Sequence, residues 1–444
     1  MRSAPLVAAA EAVRARLDAQ IRPDNPHNKI TNRSLVSAVL QRADEPGEMI
    51  AYWLSRHGRR IPISVKRGIT DAIIRLYTER ALLKYDTAEH PVRFGDVVDL
   101  VQPATHVPAI RGTWRYDLYG HAIDRRHGRD RAIPEPLTTL HSRAALMAVP
   151  VEQRRDLLGQ PGTADMLRTA GVTWEALAGW LQGPLDATAR SAVIPSMGLF
   201  GLVRNLRNLD EAGVPDQVAE TVAARLADPV LIARSRMFPF RFWAVYKNTA
   251  SLRWAQALEQ ALVASLANVP TLPGRTLVLV DRSPSMFPGH GFSAPNRSDI
   301  SLAERAAVFG AAVALRAEQA TLVEYGFTSR PVSFRRGGSL LRLVEAFDMI
   351  GGTDTGRAVA AHYRGHDRVL IITDEQTTYT GRPNAAAAVP DSVPVYTWNL
   401  GGYRYGHGPS GIGQRHTFGG LTDAAFRVVP LIESGRTGAW PWQV

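Results

Sequence analysis

Cysteine is absent from the 444 residues of this chain. Disulfide bonds, zinc sites built on thiolates and cysteine nucleophiles are therefore excluded together. A chain without cysteine suits a reducing compartment, and we expect the protein to be cytoplasmic.

Long apolar runs are absent as well. The most apolar stretch, 192–203, contains Pro195, Ser196 and two glycines, and it falls far short of the roughly 20 residues that cross a bilayer. The first residues run into Glu11 and Arg14 without the apolar core of a secretory signal. We expect no membrane association, whereas the hydrophobic content of 45% is ample for packed cores.

Positive charge is in excess, with 52 Lys+Arg against 41 Asp+Glu and a net charge of +11. Residues 1–273 hold 35 basic and 27 acidic side chains, a net +8, whereas residues 274–444 hold 17 and 14, a net +3. Arginine dominates the densest clusters, and its planar guanidinium suits phosphate and base contacts. These clusters favour a polyanionic partner, although a solvated helix face would give the same pattern. Their members are Arg56, His57, Arg59, Arg60, Lys66 and Arg67; then Arg75, Arg80 and Lys84; then Arg111, Arg115, Arg125, Arg126, Arg129 and Arg131.

Two kinds of pattern divide the chain. From residue 4 to residue 266, apolar residues recur at three- and four-residue spacing between Pro/Gly turns, which predicts an irregular helical solenoid or, alternatively, an ordinary helical domain. After Pro273, apolar β-branched runs at 276–280, 320–326, 368–373 and 393–398 alternate with helical patterns at 302–317 and 340–347. This alternation predicts a doubly wound, mainly parallel sheet. We therefore expect a helical module over 1–269 and an α/β domain over 270–444.

Oxygen-bearing side chains follow the ends of two predicted strands and open one predicted helix. The segments are Asp-Arg-Ser-Pro-Ser at 281–285, Gly-Gly-Thr-Asp-Thr at 351–355 and Thr-Asp-Glu at 373–375. A parallel sheet keeps its ligand at the carboxyl ends of its strands. Because the candidate ligands are all oxygens, a metal bound here would be Mg²⁺ rather than zinc or copper. The alternative is that these short turns only cap helices.

With these three segments, residues 274–430 resemble a von Willebrand factor A domain with a metal-ion-dependent adhesion site. The resemblance implies that Ser283, Ser285 and Thr353 bind the metal by hydroxyl, and that Asp281 and Asp374 reach it directly or through water. In that family the metal's open position accepts an acidic group from a protein partner and performs no bond-making chemistry.

Segments of the helical part resemble a second module. Residues 65–72, 83–86, 93–103, 194–206 and 236–241 are similar to the signature region of TROVE. TROVE followed by an A domain with Asp-x-Ser-x-Ser is the arrangement of the Ro autoantigen family, including its bacterial Rsr members. The resemblance covers nearly the whole chain.

This second resemblance implies a ring of HEAT-like helical repeats closed by the A domain, in a monomeric ribonucleoprotein. The family threads single-stranded ends of misfolded RNA through the ring and binds non-coding Y-type RNA on its basic outer surface. Bacterial members are tethered through a Y RNA to polynucleotide phosphorylase and take part in RNA quality control.

Candidate RNA contacts follow from the basic clusters together with this resemblance. They are Arg56, Arg59, Arg60, Lys66, Arg67, Lys84, Arg111 and Arg115. We interpret Tyr85 and Trp114 as core residues, whereas Arg204 and Asn205 could equally pack a helix or contact RNA.

Two departures from the family limit this transfer. Vertebrate members carry a histidine in the segment aligned with 92–94, where this chain has Phe94, so that RNA contact is not carried over. Family chains also have further helices before the segment resembling residues 1–7, so we expect this chain to begin inside the module, with closure of the ring left open.

The alternative functions are a protein-interaction scaffold and a hydrolase. A protein-interaction scaffold would use the metal to recognise an acidic partner and would not bind RNA. A hydrolase lacks support, because the sequence contains no Gly-x-Ser-x-Gly, no His-Glu-x-x-His and no phosphate loop ending in Gly-Lys-Ser/Thr. We therefore expect a binding protein and not an enzyme.

Overall fold

A computed structural model describes residues 3–20, 30–249, 251–287, 300–375, 385–401 and 410–436. The chain divides into two compact units, Met1–Ser196 and Met197–Trp442. In the ranges just given, no helix is both long and apolar enough to cross a membrane.

The first unit is helical. Its α-helices are α1 Ala4–Asp18, α2 Asn32–Val39, α3 Glu45–His57, α4 Ile63–Leu76, α5 Glu79–Tyr85, α6 Phe94–Val101, α7 Pro103–His106, α8 Trp114–Arg126, α9 Thr138–Met147, α10 Val151–Leu158, α11 Thr163–Thr169, α12 Trp174–Leu181 and α13 Ala187–Val193. Short 3₁₀ helices lie at Pro108–Ile110 and Ile194–Ser196.

Neighbouring helices of this unit pack as pairs, α2 against α4 and α6 against α8. Gly95 permits the second pairing, since a Cβ there would lie 2.6 Å from the carbonyl oxygen of Ala122. Beside it, the Phe94 ring stacks on Tyr77, with ring centroids 3.8 Å apart. The core of the unit contains Trp53, Ile69 and other fully buried side chains. The described part of the unit contains helices and no strand, as the apolar spacing predicts.

A buried carboxylate joins three of these helices. Asp86, at the end of α5, accepts a hydrogen bond from the backbone N–H of Phe94 at 2.9 Å and pairs with the guanidinium of Arg93 at 2.7 Å. The guanidinium of Arg125, on α8, lies 3.4 Å from the same carboxylate oxygen. Asp86 and Arg93 belong to the segments 83–86 and 93–103, so polar residues of both segments serve packing.

Replacing Asp86 by alanine should destabilise the chain by about 3–5 kcal/mol, because Arg93, whose side chain is only 15% exposed, and the buried N–H of Phe94 would both lose their partner. Asp99 provides the control: it is half-exposed and pairs only with the half-exposed His127, so Asp99→Ala should cost less than about 1 kcal/mol. Urea unfolding followed by circular dichroism measures both variants. Equal midpoints for the two would contradict this role of Asp86.

The second unit combines helices with a six-stranded sheet. Its α-helices are α14 Leu199–Glu211, α15 Asp216–Ala227, α16 Pro229–Ser235, α17 Pro239–Asn248, α18 Ala255–Ser265, α19 Leu302–Arg316, α20 Leu340–Glu345, α21 Thr355–His362 and α22 Ala425–Arg436. Its strands are β1 Arg275–Asp281, β2 Gln319–Tyr325, β3 Ser329–Pro331, β4 Arg368–Thr373, β5 Val395–Asn399 and β6 Arg415–Gly419. Short 3₁₀ helices lie at Leu252–Trp254, Leu266–Asn268 and Pro284–Met286.

The strand order is β3-β2-β1-β4-β5-β6, and only the β2–β3 pairing is antiparallel. Helix α19 covers one face of the sheet, where a Cβ on Gly310 would lie 2.5 Å from Val280 Cγ2. Helix α21 covers the other face, and its Ala358 and Val359 share a buried cluster with Leu277 and Leu279. The structure thus confirms the predicted fold class, a helical module followed by a doubly wound, mainly parallel sheet.

The two edge strands, β3 and β6, were missed from sequence. β3 has three residues and ends in Pro331, and β6 carries Arg415 and His416. Edge strands are covered by fewer neighbours, so they need no continuous apolar pattern. The predicted boundary at 269/270 coincides with the change from helices to strands. Helices α14–α18 nevertheless lie in the same compact unit as the sheet, and the boundary as a division into domains stays a prediction.

Candidate functional site

The predicted oxygen cluster lies at the carboxyl edge of the sheet. Asp281 and Thr373 are the last residues of β1 and β4, which are neighbouring parallel strands. The hydroxyl of Thr373 donates to Asp281 Oδ2 at 2.6 Å, and the backbone N–H of Ser283 donates to Asp281 Oδ1 at 2.8 Å. Both oxygens of this buried carboxylate therefore have a protein donor.

Hydrogen bonds hold the segment 350–355 against the same edge. The N–H of Asp354 donates to Gly326 O at 2.9 Å, and the N–H of Ile350 donates to Arg282 O at 2.8 Å. The hydroxyl of Thr355 donates to the hydroxyl of Tyr325, the last residue of β2, at 3.3 Å. The structure therefore brings all three predicted segments to one edge.

All five predicted metal ligands are withdrawn from solvent to some degree. Asp281, Ser283, Thr353 and Asp374 are buried, and Ser285 is half-buried. The hydroxyl oxygens of Ser283 and Ser285 lie 3.1 Å apart. One turn thus presents two hydroxyls and one carboxylate, as the Asp-x-Ser-x-Ser pattern predicts.

Burial disfavours negative charge in this cluster. Burial is the main reason that the pKa of Asp281 is raised to about 7. Hydrogen bonds from Thr373 and Ser283 lower this pKa, whereas the charge of Asp374 raises it. Two buried carboxylates with hydroxyls beside them fit a small divalent cation, which would offset their mutual repulsion. Over the described ranges, no group of three or more His, Asp or Glu side chains is placed to hold a metal, so hydroxyl ligands would be needed.

The chain turns sharply after Asp374. Glu375 has φ +58°, a left-handed conformation that non-glycine residues rarely adopt. Its backbone N–H donates to Thr373 Oγ1 at 2.9 Å, which holds the turn. Thr373 therefore supports both the strained turn and Asp281. The sequence places Thr373 in the Thr-Asp-Glu motif but does not reveal this role.

The basic candidates form three groups. Arg56, Arg59, Arg60 and Arg67 are exposed and Lys66 is half-buried, between the end of α3 and the start of α4. Arg111 is exposed and Arg115 is half-buried, near the start of α8. Lys84 lies apart from both groups on α5. The five residues at 56–67 are therefore the largest of the three groups.

Ion pairing separates these candidates from the arginines at and just after the end of α8. None of the eight forms an ion pair with another residue in the described part of the chain. By contrast, Arg126 pairs with Asp96, and Arg129 and Arg131 pair with Asp124. The unpaired cations are the ones available to a polyanion. Burial, followed by the charges of Arg67, Lys66 and Arg33, lowers the pKa of His106 on α7.

Lys84 lines a cavity of about 510 Å³ within the first unit, and sequence reasoning missed another cation there. Arg143, on α9, lines the same cavity, and burial lowers its pKa. Arg143 makes no hydrogen bond or ion pair with the residues that the structure describes. Arg80 also lines the cavity and donates to Arg168 O at 2.8 Å, and Glu175 adds one negative charge. A single arginine on a helix carries no signal that would have identified Arg143.

Aromatic and amide candidates have mixed roles. Tyr85 and Trp114 are half-buried and pack against the core, as interpreted from sequence, with Lys84 and Arg115 over their rings. Asn205 is buried and donates to Gly201 O at 2.9 Å, which is a helix-packing role. Arg204 is exposed, so it does not share that role.

Three comparisons with known proteins bear on this chain. Residues 190–248 match the TROVE domain family. The fold is similar to that of the crystal structure of the Deinococcus radiodurans Ro (Rsr) protein, with a TM-score of 0.66 and 17% sequence identity. The similarity covers 98% of this chain and 91% of that one. No curated protein matches the sequence significantly.

Thr373→Val should destabilise the second unit by about 1–3 kcal/mol, because the buried Asp281 Oδ2 and the N–H of Glu375 each lose a partner. Thr373→Ser keeps the hydroxyl and should cost about 1 kcal/mol or less, for one buried methyl group. Urea unfolding monitored by tryptophan fluorescence compares the two. A valine variant as stable as the serine variant would show that these hydrogen bonds contribute little.

Proposed function

We propose that this chain, a TROVE-domain protein with the fold of the bacterial Ro (Rsr) protein, binds RNA through its basic helical surface. The observation that carries the proposal is the set of cations at 56–67, which form no ion pair with other described residues. Unpaired arginines beside one another attract phosphates and release counterions on binding. The TROVE match over residues 190–248 supports the same function.

The proposed substrates are non-coding Y-type RNA and the single-stranded ends of misfolded RNA, in RNA quality control. Affinity would come from phosphates, while the single-stranded end would give selectivity for unpaired RNA. Tethering to polynucleotide phosphorylase, a monomeric state, a cytoplasmic location and a ring closed by the A domain belong to this proposal. Its support is the family resemblance of the motifs.

We also propose that the oxygen cluster binds Mg²⁺ through Asp281, Ser283, Ser285, Thr353 and Asp374. When bound, the ion would supply a positive charge with an open position for an acidic group of a protein partner. The chain's own residues would position it: the β1 turn presents the hydroxyls, and Thr373 orients Asp281. The three segments contain no His, Cys or Lys, which favours binding over catalysis.

Replacing Arg59, Arg60 and Lys66 together by alanine should weaken binding of a structured RNA with a single-stranded 3′ end. The slope of log affinity against log salt should become shallower by about 2, since each lost phosphate contact removes roughly 0.7–0.9. Fluorescence anisotropy over a salt series measures both quantities.

The matched control is Arg126, Arg129 and Arg131 together replaced by alanine. That variant loses the same charge, but from arginines already paired with Asp96 and Asp124, so its slope should change little. If both triple variants behaved alike, net charge and not this surface would set affinity. If the parent chain bound a neutral polymer as tightly as it binds RNA, the proposal would be contradicted.

Mg²⁺ should stabilise the chain against heat, by about 2.7 kcal/mol at a concentration 100 times its dissociation constant. Asp281→Asn and Asp374→Asn should abolish the increase in Tm, because each removes a carboxylate ligand. Asp391→Asn is the control, since that side chain is fully exposed in the same unit. Differential scanning calorimetry with Mg²⁺ or EDTA gives the comparison. If the Tm of the parent chain did not change on addition of Mg²⁺, the proposed metal site would be contradicted.

A further inference from the structure

An exposed aromatic side chain lies among arginines in the second unit. Phe200, in the first turn of α14, is 45% exposed. The guanidinium carbons of Arg204, one turn further along α14, and of Arg241, on α17, each lie 5.7 Å from the centre of its ring. All three residues fall within the segment 190–248 that matches TROVE. We call Phe200, Arg204 and Arg241 the aromatic platform.

We propose that the aromatic platform binds a base and an adjoining phosphate of single-stranded RNA, a site separate from the cations at 56–67. An exposed phenyl ring is costly in water, whereas any unpaired base can stack on it. Arginines near the ring add cation–π attraction and contribute positive charge. The inference rests on the proposed RNA-binding function and assigns it a second contact.

The two arginines have different environments. Arg241 Nε is paired with Asp423 Oδ2 at 3.2 Å, so its charge is partly balanced and its position is fixed. Arg204 is exposed and forms no ion pair with any residue that the structure describes. We therefore assign the phosphate to Arg204, the base to Phe200, and a positioning role to Arg241.

The neighbouring arginine on α14 lacks these features. Arg207 is paired with Glu211 at 2.7 Å, and it does not lie over the Phe200 ring. Both arginines are exposed on one helix and carry the same charge. Arg207→Ala is thus a matched control for Arg204→Ala.

The test compares a single-stranded oligoadenylate with an abasic strand of the same length. Phe200→Ala should weaken binding of the oligoadenylate at least about fivefold, the lower range for one stacked base, and should leave binding of the abasic strand unchanged. Phe200→Trp should retain the affinity of the parent chain for the oligoadenylate, since a base can also stack on the flat indole ring. Arg204→Ala should make the salt slope shallower by about 0.7, as for one single-strand phosphate contact, and Arg207→Ala should not.

A second measurement does not depend on affinity. An RNA that carries 4-thiouridine should photo-crosslink to the tryptic peptide of residues 191–204, which contains Phe200. Circular dichroism checks that each variant is folded, which the exposure of Phe200 leads us to expect.

Several outcomes would overturn the inference. If the parent chain binds RNA and Phe200→Ala binds it equally well, the platform is wrong while the proposed function stands. If Phe200→Ala loses as much affinity for the abasic strand, no base stacks on the ring. If polyglutamate displaces the oligoadenylate as strongly as unlabelled RNA does, and if this displacement depends on Phe200 and Arg204, the platform recognises an acidic peptide. A parent chain without RNA affinity would contradict both proposals.

Discussion

The buried carboxylate of Asp86 joins α5, α6 and α8 of the first unit through the Arg93 guanidinium, the Phe94 N–H and the Arg125 guanidinium. A buried charge is tolerated only when its partners lie within hydrogen-bonding distance. That requirement fixes where α6 begins and how α8 lies against it. It also explains why the segments around 83–86 and 93–103 carry their particular polar residues: several of them satisfy one another inside the unit.

Charge pairing then divides the arginines of this unit by role. Arg126, at the end of α8, and Arg129 and Arg131, which follow it, share Asp96 and Asp124, so they add less positive potential. Those at 56–67 form no ion pair within the described part of the chain, and their potential extends into solvent. Composition alone cannot make this distinction, because both clusters read as runs of arginine. The excess of +8 in residues 1–273 is therefore unevenly available to a polyanion.

The oxygen cluster could be predicted from sequence because its geometry follows from topology. Parallel strands bring their carboxyl ends to one edge, so side chains that follow β1 and β4 must lie close together. The strands themselves were recognisable as continuous apolar runs. The support given by Thr373 to Asp281 and to the turn at Glu375 could not be predicted, because it depends on side-chain and backbone angles that no spacing specifies.

The sequence by itself determined the order of helical and sheet-forming segments, the central strands, and the meeting of the segments that follow β1 and β4, because each depends on local spacing and on a general rule of sheet topology. Only the tertiary structure decided which arginines are paired, that Arg143 joins Lys84 at one cavity, and that Arg204 and Arg241 converge on Phe200. Most of these features join residues from different helices, such as Lys84 on α5 with Arg143 on α9, and Phe200 on α14 with Arg241 on α17. Their contacts arise from packing, and no pattern along one segment records them.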